Sequence, residues 1–450
     1  MSGVQGDFEE KEFSRTKCDF KSLSTRFELC TRDFRMQYAN LYKKRYERCL
    51  PALRKRVDEE WGSSKCPIEE VCNLKCGVQT IVMGTLFKTM PKQPSILREI
   101  SEDIPEDAEC TVEPTDNFTS DEDELVLEDL RQRVAIRSSD LLSPHKLVTG
   151  VPIALMGAVD EEDAHFVVKD VLYIGIRNQP PVPTIAEDKY VVFISGLNLS
   201  SNHDLTPFQL FVDYLTGMIG SNKEVERTAR VCKVFICGNS VAARSESEMK
   251  SSTFSLRKEV PDNAPFMNIL DAYLNALSKS VPVDIMPGDM DPTNNQLPQQ
   301  PLNQVLFPRS AVNGNLTSVT NPHEFEIDGV RFLGTSGQNV ADILRYSRLP
   351  GPLDALEAIV RWCHLIPSAP DTTPAYPQQQ TDPFVIEETP HVLFAGNQPE
   401  FQAKIYTDEA GRSVLLLSIP AFWKTPTCVW LNLRTLEASK LDFIIDEPTG

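Results

Sequence analysis

Four short turns carry the side chains best placed for chemistry, each directly after an apolar run. Ser195-Gly196-Leu197 follows KYVVFI, and Gly238-Asn239 follows RVCKVFIC. Gly288-Asp289-Met290-Asp291 follows VPVDIMP, and Gly396-Asn397-Gln398-Pro399 follows HVLFA. Apolar runs of this length read as buried strands, and in open α/β sheets ligands sit at the carboxyl ends of strands. Asp and His in such turns would hold two divalent cations a few ångströms apart and make hydroxide from water. The residues present do not suit that task. Ser195, Leu197, Met290 and Pro399 are poor ligands, while Asn239 and Asn397 offer neutral amides. Two adjacent cations need a negative bridge between them, which an amide oxygen cannot supply. Asp289 and Asp291 form the one carboxylate pair; by themselves they suit at most a single hard cation.

The remaining chemistry-bearing residues point the same way. His323, His364 and His391 fall outside the four turns, so no imidazole joins the carboxylates. Gly334-Thr335-Ser336-Gly337 lacks the second glycine of a nucleophile elbow, so Ser336 reads as a turn before a helix. Cys66, Cys72 and Cys76 form the one cysteine cluster, but their spacing is not that of paired zinc-binding units. No phosphate-cradling G-x-x-x-x-G-K-(S/T) or G-x-G-x-x-G loop is present.

The turns need a framework. From Lys189 onward strands alternate with helices at about 207–219, 264–279, 339–347 and 353–365, the signature of an α/β sheet. SVLLLSIPAF and CVWLNL, near the end, read as an antiparallel edge pair. Before residue 180 the pattern is different. Short strands at 78–87, 124–133, 148–157 and 165–174, with glycine bends and an acidic insertion at about 101–124, predict a small antiparallel barrel. Phe34, Tyr38, Leu41, Tyr42, Tyr46 and Leu50 predict an amphipathic helix over 31–50. The expected organisation is a frayed 1–25, a helix and barrel over 26–180, a proline-stiffened linker at 181–188, an α/β unit over 189–436 and a tail at 437–450.

Bulk composition bounds the function. The 450 residues are 41% hydrophobic and carry a formal net charge of −19. The chain can therefore build real cores, and a nucleic-acid coat over its whole surface is excluded. Residues 11–56 are basic, with clusters at Lys43-Lys44-Arg45 and Arg54-Lys55-Arg56; this helix is a candidate contact for a partner or a DNA backbone. The opening MSGVQGDFEEKEF has no apolar signal core, no stretch is long enough to span a membrane, and the eleven cysteines are irregularly spaced. These features predict a reducing compartment and no membrane partner.

The order of the four turns resembles that of the calcineurin-like phosphoesterase motifs, with nearly every ligand position substituted. A closer resemblance lies in longer segments: GTLFKTMPKQPSILREI, SGLNL, VPVDIMPGDMDPTNNQLPQQPLNQVLFP, TNPHEFEIDGVRFLGTSGQN, CHLIPSAPDTTPAYP and TDPF. These are similar to the B-subunit family of replicative DNA polymerases over roughly residues 25–435. The resemblance implies an OB-fold β-barrel plus a calcineurin-like phosphoesterase α/β sandwich lacking metal ligands. It makes Ser195, Leu197, Asn239, Asp289, Met290, Asp291, Asn397 and Pro399 degenerate positions, with no cofactor and no metal. It further implies a nuclear, non-catalytic scaffold in DNA replication and repair. Such a scaffold would join the large catalytic subunit, through that subunit's cysteine-rich C-terminal module, to a third subunit. Through them it would reach the sliding clamp and primer-template DNA, and it would be shared with a second, translesion polymerase. On the residues alone two other classes stay open: a self-standing single-stranded DNA-binding OB protein and an active metal-dependent phosphoesterase or exonuclease.

Overall fold

The computed structural model describes residues 13–29, 35–64, 66–93, 117–200, 203–242, 264–378 and 380–444. Strand β1 (Phe20–Ser22) is followed by helix α1 (Ala39–Trp61). Then come β2 (Thr80–Thr89), β3 (Glu124–Glu128), β4 (Arg133–Ile136), β5 (Pro152–Val159) and β6 (Phe166–Leu172), which close a barrel in the order β2-β3-β4-β6-β5. The acidic insertion falls mostly outside the described residues. Its end, 117–123, packs onto the second half of the chain: Asn117 Nδ2 donates to Leu344 O (2.8 Å) and Ser347 O (2.7 Å).

The second half alternates as its sequence implies: β7 (Tyr190–Ile194), α2 (Thr206–Thr216), α3 (Asn222–Ala229), β8 (Val231–Cys237), α4 (Ala264–Ser278) and β9 (Val283–Met286). β10 (Leu316–Ser318), β11 (His323–Ile327), β12 (Val330–Thr335), α5 (Gln338–Arg345) and α6 (Pro352–Trp362) follow. The chain then runs through β13 (Val392–Gln398), β14 (Gln402–Thr407), β15 (Ser413–Pro420), β16 (Thr427–Asn432) and β17 (Ala438–Asp442). Two mixed six-stranded sheets result, β1-β11-β12-β13-β15-β14 and β10-β9-β8-β7-β16-β17.

Their inner faces meet in a layer of buried rings. Phe235 and Phe325 stack at 4.3 Å between centroids and Phe325 and Phe332 at 4.8 Å, while Phe193 and Phe394 meet tilted at 4.9 Å. Each buried ring contributes about 1.5–3 kcal/mol of transfer free energy. Gly334 makes room for this layer, since a Cβ there would lie 1.9 Å from the Phe394 ring. On the outer face of one sheet, Ile194, Val234 and Ile285 pack with Phe208, Phe211 and Leu270 of α2 and α4. On the other, Leu333, Leu393 and Leu416 share a core with α5, α6, α1 and the barrel. The layering is helix, sheet, sheet, helix, with the barrel seated against one helical layer.

Four expectations need correction. SVLLLSIPAF and CVWLNL do not pair: β15 lies between β13 and β14, and β16 lies between β7 and β17 in the opposite sheet. Residues 13–25 are not frayed. β1 adds an edge to β11, and Arg15 donates to Leu215 O (2.7 Å) and Ser280 Oγ (2.8 Å). The expected tail beyond 436 begins with β17, which pairs with β16. The helix expected over 31–50 is α1, which continues through Pro51 to Trp61. Its stripe is also shifted: Leu41, Arg45, Cys49, Leu53, Val57 and Trp61 are buried, while Tyr42 is exposed. Among the described residues no helix is long and apolar enough to cross a membrane.

Candidate functional site

The four turns converge at the carboxyl ends of β7, β8, β9 and β13. Gly196 N donates to Gly238 O (2.9 Å), and Asn397 N donates to Ser195 Oγ (2.8 Å). Asn397 Nδ2 reaches Ser336 O (2.7 Å) and Cys237 O (3.2 Å). Asn239 and Asn397 both occupy left-handed backbone, with φ of 54° and 57°. Asn tolerates that region better than most residues, so each amide has a backbone task of its own. Asn239 Oδ1 accepts from Met290 N (3.2 Å). The two turns touch so closely that a Cβ at Gly288 would lie 2.0 Å from that oxygen.

Ser195 and Leu197 are buried, and the Ser195 hydroxyl donates to Pro420 O (2.9 Å). The two carboxylates have separate fates. Asp289 and Met290 face solvent, as does Pro399. Asp291 is buried and held from three sides: Oδ1 accepts from Ser240 N (2.8 Å) and Val241 N (3.2 Å), and Oδ2 from Gly288 N (2.8 Å). Burial pushes its carboxyl up to about 6, against the pull of those backbone N–H groups. A carboxylate engaged on both oxygens is a tie between turns.

Sequence reasoning missed the groups that fill the space between the turns. Asn321 Nδ2 lies 2.8 Å from Gln299 Oε1, Ser336 Oγ and Gln338 Oε1, while Asn321 Oδ1 accepts from Ser336 N (3.1 Å). Gln299 Nε2 donates to Gly288 O (2.9 Å), and Gln338 Nε2 to Gln299 Oε1 (3.0 Å). These amides come from LPQQPL, TNPHEF and TSGQN, three of the segments that carry the family resemblance. Those segments held the signal, but a search for carboxylates and imidazoles passes over amides.

The histidines sit elsewhere. His323 lies in the inter-sheet layer with its Nδ1 2.7 Å from Ser24 Oγ. His391 Nδ1 accepts from Arg331 N (2.9 Å). His364 Nε2 is 3.0 Å from Asp382 Oδ2. Among the described residues no group of three or more His, Cys, Asp or Glu is arranged to hold a metal ion. The groups that line the four turns are neutral amides, backbone carbonyls and the tied Asp291 carboxylate.

The basic helix also changes meaning. Lys43 and Lys44 face solvent and pair with Glu47 (3.8 and 2.8 Å). Arg45 is fully buried between α1 and the sandwich. Its Nε donates to Asp382 Oδ2 (2.7 Å), and its other nitrogens to Pro367 O and Ala369 O. Arg45 is thus not available to a DNA backbone.

Comparison with known proteins adds to this geometry. Residues 37–171 match the DNA polymerase delta subunit OB-fold domain, and residues 191–403 match the alpha/epsilon B-subunit family of DNA polymerases. The chain is 39% identical over 445 residues to the DNA polymerase delta small subunit of Arabidopsis thaliana, covering 96% of this chain and 97% of that one. It is 34% identical over 437 residues to DNA polymerase delta subunit 2 of Drosophila melanogaster, covering 96% and 99%. The small subunit from Saccharomyces cerevisiae is 29% identical over 460 residues, covering 92% and 91%. With an OB-fold barrel, a B-subunit sandwich and near full-length similarity, the chain belongs to the small-subunit family of DNA polymerase delta, accessory subunits of a replicative polymerase.

Proposed function

We propose that the chain is a non-catalytic bridge, with a calcineurin-like phosphoesterase sandwich whose metal site is degenerate. It joins the catalytic subunit of polymerase delta, through that subunit's cysteine-rich C-terminal module, to the third, clamp-contacting subunit, and it works in the nucleus. The observation that carries this reading is the filled strand-end cluster. Asn239, Asn397, Gln299, Asn321 and Gln338 saturate one another and the backbone, and Asp291 is tied up by three N–H groups. Without a bridging carboxylate and imidazole ligands there is no source of metal-bound hydroxide. What remains is a rigid platform, and docking on a rigid surface loses less entropy to ordering.

Co-expression of the chain with the catalytic and third subunits of polymerase delta tests the bridge. Sizing of the purified material is expected to give one three-subunit assembly. Omission of the chain is expected to leave the other two subunits unassociated. A stable complex of catalytic and third subunits without it contradicts the bridging role.

A further inference from the structure

The barrel closes on a short seam. β4 and β6 run parallel and pair at Ile136 and Phe166, and Arg137 N donates to Phe166 O (3.0 Å). Past that point the chains diverge. β6 continues to Leu172 paired with β5 alone among the described strands, so its other edge has no strand partner there, and Val171 N is held by its neighbour's side chain, Asp170 Oδ1 (2.8 Å). A groove of about 520 Å³ opens beside that edge, between Asp170–Tyr173 and α6. Leu147, Ala358 and Trp362 are among its apolar lining, and Leu141 at its rim is 60% exposed.

Charge narrows the occupant. Four carboxylates line the groove, Asp140, Asp170, Asp354 and Glu357, against two cations, Lys146 and Arg361. Arg361 lies over the Tyr173 ring at 5.1 Å, and Lys404 pairs with Glu357 at 2.7 Å. A phosphate backbone is repelled by such a lining. An open strand edge is a template for an added strand, and an excess of carboxylates favours Lys or Arg beside it.

We propose that this groove takes an extended segment of another polymerase subunit, added as a strand along the free edge of β6. The segment places an apolar side chain in the groove and Lys or Arg beside Asp140 and Asp354. This deepens the bridging reading and rests on it, because it assigns one of the bridge's contact surfaces.

Hydrogen exchange compares the chain alone with the co-expressed three-subunit complex. Amides in 168–173 are expected to exchange about tenfold more slowly in the complex. The double variant D140K/D354K is expected to lose that protection while keeping the melting temperature of the parent. A photo-crosslinking side chain at Leu141 is expected to capture a Lys- or Arg-bearing segment of a partner subunit. Unchanged exchange in an intact complex overturns the proposal, as does protection that survives D140K/D354K, or capture of DNA or of a second copy of the chain. Failure of any complex to form sinks the bridging reading itself, whereas an assembled complex with an unprotected β6 edge sinks only the groove.

Discussion

Beneath the four turns the groups that meet are amides and backbone N–H around a single buried carboxylate, Asp291; at the seam between barrel and sandwich they are ion pairs. Asp382 is fully buried with Arg45 and His364 on the same carboxylate oxygen. Burial pushes the Asp382 carboxyl up, but Arg45 and then His364 outweigh it and hold the group well below the usual carboxylate range. Burial pushes His364 down, helped by Arg45. A second ion pair, Lys88 with Asp123 at 3.1 Å, has both side chains fully buried, and Lys88 also donates to Tyr346 O (2.9 Å). Burial pushes the Lys88 ammonium down, against Asp123. Neutral amides can satisfy a tight space with no charge to neutralise, whereas a buried ion tolerates few partners and few geometries. The strand-end turns are thus held together by amides and backbone groups, while buried ion pairs tie α1 and the barrel to the sandwich.

Breaking the seam is expected to have the largest effect. R45A strands Asp382 and two carbonyls, and should lower unfolding free energy by about 3–5 kcal/mol in denaturant titration. R45M/D382L, which removes both charges, should cost less than R45A alone; an equal or greater loss would mean that the pairing geometry is not the cause.

The strand-end carboxylate predicts a pH dependence of opposite sign to the seam. The folded value for Asp291, about 6, lies above that of an unfolded Asp at about 3.9. The native state therefore holds an extra proton between those values. Stability from this group rises as pH falls from about 6 toward 4, by about 3 kcal/mol in all. Asp382 is depressed, so its contribution is present above the unfolded value and is lost as pH falls through its lower folded value. Urea unfolding of D291N across this range should show the Asp291 slope removed and the acid-side loss retained.

Smaller effects sharpen the same contrast. N321A leaves Gln299, Ser336 and Gln338 without a shared partner, and should cost about 1–3 kcal/mol by thermal unfolding. K43E/K44E alters exposed pairs, and should change stability by less than about 1 kcal/mol. A large loss there would mean that the exposed face of α1 is not simply solvated.

Much of this was legible from residue patterns. The alternation after Lys189 placed strands and helices near their observed positions, and the turns after β7, β8, β9 and β13 do converge. The misses have physical causes. β15 and β16 are both buried on nearly every residue, with no apolar–polar alternation, so periodicity could not tell which sheet each joins. Arg45 sits in a run of charges and reads as solvated, because its partners lie more than 300 residues away in the chain. β1 lies in a polar stretch and owes its place to the β11 edge. The amides Gln299, Asn321 and Gln338 have no spacing rule, since they are brought together only by the folded sheets.

Calorimetric titration of the purified chain with Mn²⁺, with nuclease activity followed on the same sample, decides whether the strand-end turns hold paired cations. No two-ion binding and no turnover are expected. Binding of two ions per chain that brings hydrolysis with it, and that is lost on substituting Asn239 or Asn397, would contradict that expectation.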